Sequence, residues 1–391
     1  MKKICVVTST RAEYGLLKNV INEINEDDSL ELLLVVTGMH LSEEFGLTVK
    51  EIENDGHRIS DKIEILMATD SPQSISKTMG IAMISFADYF ARVKPDMLIV
   101  LGDRYELLPI CACAMNEMIP IAHISGGETT EGAVDEAIRH CITKMSYLHF
   151  PACEDYRKRI IQLGENPERV YDFGDVGVEN INKMVLMEKV ELEDSINFKL
   201  DKPYCSVTFH PVTLEINDIE RQCNELFMAL DQFPHMQFVF TKANSDAGGR
   251  IINRKIEEYV NSHKNSVAFS SLGILRYLSL LKYCDIVIGN SSSGIVEAPC
   301  FKKPTVNIGN RQAGRIKAAS IIDCDTNEKS IVEAINKALS VEFKDDIRSV
   351  KNPFGGFGTA EKIVSTVKRY LYEDGIDLKK RFYDLPREYI K

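Results

Sequence analysis

Short runs of aliphatic and β-branched residues alternate with longer amphipathic stretches along the whole chain. Strands buried on both faces form nearly continuous apolar runs, whereas helices repeat apolar residues every three to four positions. In the first half this pattern predicts helices that include 14–24 and 154–163. The predicted strands of this half are 4–9, 30–38, 97–102, 119–125, 148–152 and 170–174.

The second half repeats the alternation. Its predicted strands are 204–210, 237–241, 267–270, 286–289, 305–308 and 320–323, and its predicted helices include 220–230, 274–282 and 331–339. Alternation of this kind is typical of a parallel sheet covered by helices on both faces. We therefore predict an α/β protein with two Rossmann-like domains, in the glycosyltransferase-B-type architecture.

The expected domain limits follow from a polar connector at 188–202, interpreted as a linker. An N-terminal domain, 1–187, would carry the carboxylates Asp103, Glu128 and Asp135, and a second domain, 203–358, would carry the serine-rich segment 289–298. The remaining 359–391 form a helical tail, with its helical pattern at 359–372, that we expect to pack back on the N-terminal domain.

Composition narrows the class of protein. The chain has 391 residues, of which 44% are hydrophobic and 27% charged, the balance of a folded globular protein. No apolar run approaches the ~20 residues of a membrane span, and the N-terminus leads directly into a predicted strand, so we expect a cytoplasmic protein without membrane contact. A net charge of −11 argues against a nucleic-acid partner. The ten cysteines lack ligand spacing, which predicts reduced thiols and no metal site.

Ligands of open α/β sheets bind beyond the carboxyl ends of the strands. In the first half, Arg11 follows the first strand, where a guanidinium can bind a phosphate, and Asp103 follows the third predicted strand. A glycine-rich acidic loop at 123–132 contains Glu128, and Asp135 follows it. Helix capping by Asp103 and helix-dipole stabilisation by Asp135 are the structural alternatives. Several carboxylates at one sheet edge can divide into acid and base roles.

In the second half, His210 ends a predicted strand and can donate to a phosphate or transfer a proton. The segment 289–298 joins a strand to a helix through Ser291, Ser292, Ser293 and Gly294, whose hydroxyl and N–H groups suit an anion. Glu297 lies one turn further, with two acceptor oxygens for a ribose diol. Arg311 supplies another cation after the strand 305–308.

Taken together and in this order, these segments resemble the UDP-N-acetylglucosamine 2-epimerases, in particular the hydrolysing branch that supplies sialic acid synthesis. The resemblance spans about 4–315. The matching motifs are TRAEYG at 10–15, GDRYE at 102–106, HISGGE at 123–128, DEAIRH at 135–140, HPVT at 210–213, GNSSSG at 289–294 and RQ at 311–312.

The resemblance implies conversion of UDP-GlcNAc and water to N-acetylmannosamine and UDP. In the family, UDP leaves by elimination across C1–C2, and water adds to the 2-acetamidoglucal. Asp103, Glu128 and Asp135 would then be the acid/base set, with the division of roles among them open. The ligand-binding residues carried over by position are Arg11, His210, Ser292, Ser293 and Gly294 for the diphosphate, Glu297 for the ribose, Tyr277 for stacking on the base and Arg311 for the leaving group.

The chain departs from the non-hydrolysing branch at one position. Those relatives carry a carboxylate directly after the His-aliphatic pair, where this chain has Ser125, and the nearest carboxylate is Glu128. A related branch hydrolyses UDP- or GDP-linked 2,4-diacetamido-trideoxyhexoses for legionaminic acid and remains open as the alternative. A glycosyltransferase-B enzyme and an inactive sugar-nucleotide sensor are alternatives of other classes. We expect no cofactor, and a homodimer or homotetramer.

Overall fold

The computed structural model describes residues 1–69, 71–131, 133–212, 217–244 and 246–386. Thr213 of the HPVT motif, Gly132 of the acidic loop and the last five residues of the tail, 387–391, lie outside the described residues. Within them the chain forms two parallel six-stranded sheets. The first contains β1 (Lys2–Thr8), β2 (Leu30–Thr37), β3 (Ile59–Ile63), β4 (Met97–Leu101), β5 (Ile121–Ile124) and β6 (Leu148–Phe150). The second contains β7 (Tyr204–Thr208), β8 (Gln237–Thr241), β9 (Ser266–Phe269), β10 (Ile286–Gly289), β11 (Thr305–Ile308) and β12 (Ile321–Cys324).

Both sheets have the same doubly wound topology. The strand order is β3-β2-β1-β4-β5-β6 in the first and β12-β11-β10-β7-β8-β9 in the second. The order therefore reverses between β1 and β4 in one sheet and between β7 and β10 in the other. Ligands of such sheets bind at the reversal, beyond the carboxyl ends of the strands. The two reversal points thus predict where a site lies.

Helices cover both faces of each sheet. In the first half they are α1 (Arg11–Glu26), α2 (Val49–Asn54), α3 (Pro72–Val93), α4 (Leu107–Asn116), α5 (Asp135–Met145), α6 (Glu154–Gln162) and α7 (Val176–Lys183). They continue with α8 (Lys189–Ile196), α9 (Ile219–Asp231), α10 (Gly249–Ser262), α11 (Gly273–Tyr283), α12 (Ser292–Val296), α13 (Glu328–Leu339), α14 (Val341–Asp346) and α15 (Thr359–Arg369). Among the described helices, none is long and apolar enough to span a bilayer.

The structure differs from the sequence predictions at three places. The edge strand β3 was missed because it is half exposed and alternates apolar with polar residues, unlike the continuous apolar runs of the buried strands. The segment 170–174 is not a strand, since only Val170 makes a single bridge to His149. The connector 188–202 is not a simple linker, because α8 buries Leu192 and Ile196 in the core of the second half.

The tail packs on the first half of the chain. Apolar residues of α15, including Ile363 and Val367, join the core formed by α1 and one face of the first sheet. Beyond the helix, Lys380 donates to Glu165 at 2.7 Å, and the Tyr383 N–H donates to the Gly164 carbonyl at 2.9 Å. The division of the chain into the three domains named above stays a prediction.

Candidate active site

One cavity lies between the two halves, at the carboxyl ends of both sheets. Residues after β1 and β4 line it from the first half, and residues after β7 and β10 line it from the second. Both reversal points of the strand order therefore face the same space. The predicted site residues among its lining are Arg11, Asp103, Glu128, His210, Tyr277, Ser291, Ser292, Ser293 and Glu297.

Arg11 is the cation at the end of β1. Thr10 caps α1 by accepting a hydrogen bond from the Glu13 N–H at 3.3 Å, which fixes the turn that presents Arg11 to the cavity. Burial lowers the pKa of Arg11, and the nearby charge of Glu51 opposes that effect. With no side-chain ion pair within the described residues, Arg11 is available to an anionic ligand.

Asp103 leaves β4 through Gly102, whose positive φ of 77° turns the chain toward the cleft. The carboxylate forms an ion pair with Arg139 of α5, whose side chain is only 3% exposed. Two further N–H groups of Arg139, at Nε and Nη1, are buried without a partner in the described parts of the chain. Because Arg139 also lines the cavity, it can offer these donors to a ligand.

His123 stabilises the turn at Gly102 that precedes Asp103. Burial lowers the pKa of His123 to about 3, so the ring is neutral. Its Nε2 lies 2.7 Å from the Gly102 carbonyl, which can only accept, so Nε2 carries the proton and Nδ1 accepts from Thr143. The histidine of the HISGGE motif therefore positions Gly102 and is not itself among the cavity-lining residues.

Glu128 connects the two halves. Its carboxylate lies 2.7 Å from Arg315 Nη2, and both side chains are 6% exposed. Arg315 also donates to the Thr129 carbonyl at 3.1 Å. Gly127 permits this loop to pack, since a Cβ there would lie 2.5 Å from the Tyr156 carbonyl and φ is 74°. The acidic loop is thus built by a glycine and held by an arginine from the other half.

Asp135 begins α5 and does not belong to the cavity lining. Burial, followed by the charges of Asp103 and Asp246, raises the pKa of Asp135 to about 7, while Arg311 and Arg104 oppose the shift. A carboxyl with such a pKa exchanges its proton near neutral pH, which is what a general acid or base requires.

His210 is held at the end of β7. Its backbone N–H donates to Asn290 Oδ1 at 2.7 Å, and Asn290 Nδ2 donates back to the His210 carbonyl at 2.9 Å. Burial and then the charge of Arg311 lower the pKa of His210 to about 3. The neutral ring can donate one hydrogen bond to a phosphate. Arg311 donates to the Asn290 carbonyl at 3.1 Å and lies outside the cavity lining. Burial lowers the pKa of Arg311, and the charges of Asp135, Asp246 and Asp103 oppose that effect.

The serine segment after β10 depends on Gly289. Its φ is 135°, and a Cβ would lie 1.9 Å from the Thr208 carbonyl, so only glycine fits. Beyond it, Tyr277 on the second turn of α11 donates to Ser293 Oγ at 2.5 Å, and Ser293 donates to Glu297. Burial raises the pKa of Glu297 to about 7. Gly294 is buried against Thr305 and does not reach the cavity.

Sequence reasoning missed five charged residues of this region. Arg104 and Arg139 stand inside two of the quoted motifs, so their proximity to the predicted carboxylates was a usable signal. Arg315 lies shortly after the RQ motif, whereas Asp175 and Asp246 belong to no motif. Asp175 lines the cavity, and its pKa is raised to about 6 by burial and by Glu128.

No group of three or more His, Cys, Asp or Glu side chains in the described ranges is arranged to hold a metal ion. The ten cysteines are free thiols, most of them buried. The site as described consists of carboxylates, arginines, a neutral histidine and hydroxyl groups.

Comparison with known proteins identifies the family. The family model described as UDP-N-acetylglucosamine 2-epimerase matches residues 22–368. The chain belongs to the UDP-N-acetylglucosamine 2-epimerase family. A Campylobacter jejuni member named GDP/UDP-N,N'-diacetylbacillosamine 2-epimerase (hydrolyzing) is 44% identical over 386 residues, covering 98% of this chain and 99% of that protein. The Escherichia coli polysialic acid biosynthesis protein P7 is 39% identical over 390 residues, covering 99% and 98%.

The fold comparison agrees with this family. A Staphylococcus aureus structure described as an MnaA–UDP complex superposes with a TM-score of 0.81 at 18% identity, covering 99% of this chain and all of that one. The predicted α/β class with two Rossmann-like units is confirmed. The predicted membership of the hydrolysing branch is also confirmed. This epimerase is therefore an enzyme of the hydrolysing nucleotide-sugar 2-epimerase class.

Proposed function

We propose that this epimerase hydrolyses a UDP- or GDP-linked 2,4-diacetamido-2,4,6-trideoxyhexose and inverts its configuration at C2. The observation that carries the proposal is a cavity between the halves whose lining includes the predicted acid/base carboxylates Asp103 and Glu128 and most of the predicted phosphate-binding groups. The choice of sugar is supported by the 44% identical relative, whose name gives N,N'-diacetylbacillosamine as its substrate. It differs from our first expectation from sequence, which was UDP-GlcNAc.

The residues divide between the leaving group and the sugar. Arg11, neutral His210 and the hydroxyls of Ser292 and Ser293 would bind the diphosphate, and Glu297 the ribose. Charge on the leaving oxygen develops during elimination, so donors aimed at it lower the barrier most. The charge of Arg311 would help to stabilise the leaving diphosphate from a longer distance.

The carboxylates would perform the proton transfers. In the first step a carboxylate removes the C2 hydrogen, the C1–O bond breaks, and its electron pair leaves with the nucleoside diphosphate. In the second step water adds its hydroxyl to C1 and C2 takes a proton on the opposite face, which releases the 2-epimeric free sugar. Asp103 and Glu128 line the cavity, and Asp135 exchanges its proton near neutral pH.

Arginines set the geometry of these carboxylates. The Asp103–Arg139 and Glu128–Arg315 pairs restrict each carboxylate to one orientation. The Nε and Nη1 groups of Arg139, which have no partner among the residues that the structure describes, can bind an acetamido carbonyl of the sugar. Apolar side chains in the same lining, including Met39 and Phe45, suit the methyl group of a 6-deoxy sugar.

UDP-GlcNAc is the second candidate substrate. It is favoured by the 39% identity to the polysialic acid biosynthesis protein. The two candidate sugars share the 2-acetamido group and the whole reaction, and they differ only at C4 and C6.

The test is a direct competition between substrates. The enzyme would be incubated separately with UDP- and GDP-linked N,N'-diacetylbacillosamine and with UDP-GlcNAc, and released sugar and nucleotide followed by NMR. We expect kcat/KM to be highest for a diacetamido sugar. Preference for UDP-GlcNAc would support the second candidate, and transfer of the sugar to an acceptor without free 2-epimer would contradict both.

A further inference from the structure

A half-buried arginine and a buried aspartate meet across the cleft, and both lie close enough to Asp135 to act on its charge. Arg104, next to Asp103, donates from Nη1 to Asp246 Oδ1 at 2.5 Å, and the two side chains are 13% and 10% exposed. Asp246 lies in the segment between β8 and α10 of the second half. The pair therefore joins the residue after Asp103 to the opposite half of the molecule.

The first half holds its side of this contact rigidly. Arg104 Nε lies 3.3 Å from Glu106 Oε1, and Glu106 is almost completely buried. The Arg104 guanidinium also lies 5.0 Å from the centre of the Tyr105 ring. An arginine that is fixed by a carboxylate and an aromatic ring loses little further conformational freedom when it forms an ion pair. The guanidinium is therefore already oriented to bind a carboxylate from the other half.

The second half surrounds Asp246 with groups of the predicted site. Burial alone would raise the pKa of Asp246, but the charge of Arg104, the hydrogen bond from it and the charge of Arg311 lower the pKa, so the side chain is ionised. Its charge in turn acts on Asp135. The charged groups that act on Asp135 are Asp103 and Arg104 after β4, Arg139 on its own helix, Asp246, and Arg311 after β11.

We propose that the Arg104–Asp246 ion pair is a latch that positions Asp103 and Asp135 of the first half against His210 and Arg311 of the second. Asp246 and Arg104 are positioning residues, acting on the proton-transfer groups across the closed cleft. The inference deepens the proposed function and rests on it. Misplacing a reacting group by about 1 Å can reduce the rate about 100-fold, so the latch matters for chemistry more than for nucleotide affinity.

The test compares Asp246→Asn with the wild type, on the nucleotide sugar that the wild type turns over best. We expect kcat to fall about 10- to 100-fold, while the Kd for UDP, measured by calorimetry, stays within about threefold. Removing a negative neighbour also lowers the pKa of Asp135. The limb of the kcat–pH profile that belongs to this group should therefore move to lower pH, whether Asp135 acts as acid or as base. Asp246→Glu keeps the charge and should restore part of both effects.

Glu44→Gln is the matched control. It removes another cross-cleft ion pair, Glu44–Arg250 at 2.5 Å, whose side chains are 47% and 35% exposed and which lies outside the cavity lining. An exposed pair contributes little, so this variant should keep both kcat and the pH profile. Thermal unfolding of each variant separates loss of fold from loss of position.

The outcomes distinguish the latch from the proposed function. Wild-type inactivity on all three nucleotide sugars would refute the proposed function. The latch would then be tested by solution scattering in the presence of UDP, which measures the overall dimensions of the protein. Asp246→Asn should stay more extended than the wild type, and equal dimensions would overturn the latch. With an active wild type, an unchanged kcat in Asp246→Asn would overturn the latch. So would a lower kcat with an unmoved pH limb and no recovery in Asp246→Glu, because that pattern indicates a structural role alone.

Discussion

The protonation of Asp135 provides the sharpest test of the acid/base assignment. Asp135→Asn replaces a carboxyl by an amide of nearly the same shape, so packing at the start of α5 is preserved. Burial and the charges of Asp103 and Asp246 give this carboxyl a pKa of about 7. The neutral amide therefore resembles the protonated form, which the site populates near neutral pH, and we expect the variant to fold normally.

The expected loss of rate follows from the proton that the variant cannot carry. A general acid or base contributes about 10²- to 10⁴-fold, which corresponds to roughly 3–5 kcal/mol of transition-state stabilisation. Because Asp135 does not belong to the cavity lining, UDP should bind with nearly unchanged affinity. The loss should appear in kcat, and the pH limb of Asp135 should disappear from the profile.

The assay combines single-turnover kinetics with reaction in D₂O. Elimination followed by hydration exchanges the C2 hydrogen, so NMR of the wild-type product should show deuterium at C2. The control variant is Glu131→Gln, which removes an exposed carboxylate close to Glu128 in sequence and should behave as wild type. A kcat for Asp135→Asn within threefold of wild type would refute the assignment, and full retention of protium at C2 would refute the elimination route.

Three further predictions concern binding, stability and metal. Glu297→Gln should raise the Kd for UDP roughly 10- to 100-fold in calorimetry with kcat nearly unchanged, since a charged hydrogen bond is worth about 1.5–3 kcal/mol; unchanged affinity would contradict the ribose contact. Burial alone would raise the pKa of Glu165, but this pKa is lowered to about 2 by contacts with His149, Lys144 and Lys380. Glu165→Gln should therefore lower the free energy of unfolding by about 3 kcal/mol at pH 7. This difference from the wild type should shrink as the pH falls from about 4.5 towards 2, and urea titrations at each pH would measure it. EDTA should leave turnover intact; loss restored by Mg²⁺ or Mn²⁺ would contradict a metal-independent reaction.

Most of the fold follows from local pattern. Strands that are buried on both faces, such as β4 and β10, are continuous apolar runs in the sequence. Their presence and their approximate ends could therefore be predicted. The edge strand β3 and the helix α8 escaped because their apolar residues are sparse and half of each element faces solvent. Identifying such elements requires knowing which face is covered, and that is a property of the assembled structure.

The site could be predicted in composition but not in pairing. Asp103, Glu128 and Asp135 were expected together because all three follow strands of one sheet. Their partners are long-range: Arg315 lies 187 positions from Glu128, and Asp246 lies 142 positions from Arg104. No periodicity links residues at such separations, so the ion pairs that orient the carboxylates become visible only when both sheets are folded.

These long-range pairs also bear on the different roles that we propose for the two halves. The reversal point of the first sheet presents the carboxylates, and that of the second presents hydroxyl groups and the neutral His210. A carboxylate beside a bound diphosphate would repel it, and two of the carboxylates that line the cavity are offset by an arginine: Arg139 for Asp103 and Arg315 for Glu128. Because Arg315 comes from the second half of the chain, this ion pair orients Glu128 only when the halves are together. Separating them would leave both members of this pair without their counter-charge, which ties the assembly of the acid/base set to the closed arrangement of the cleft.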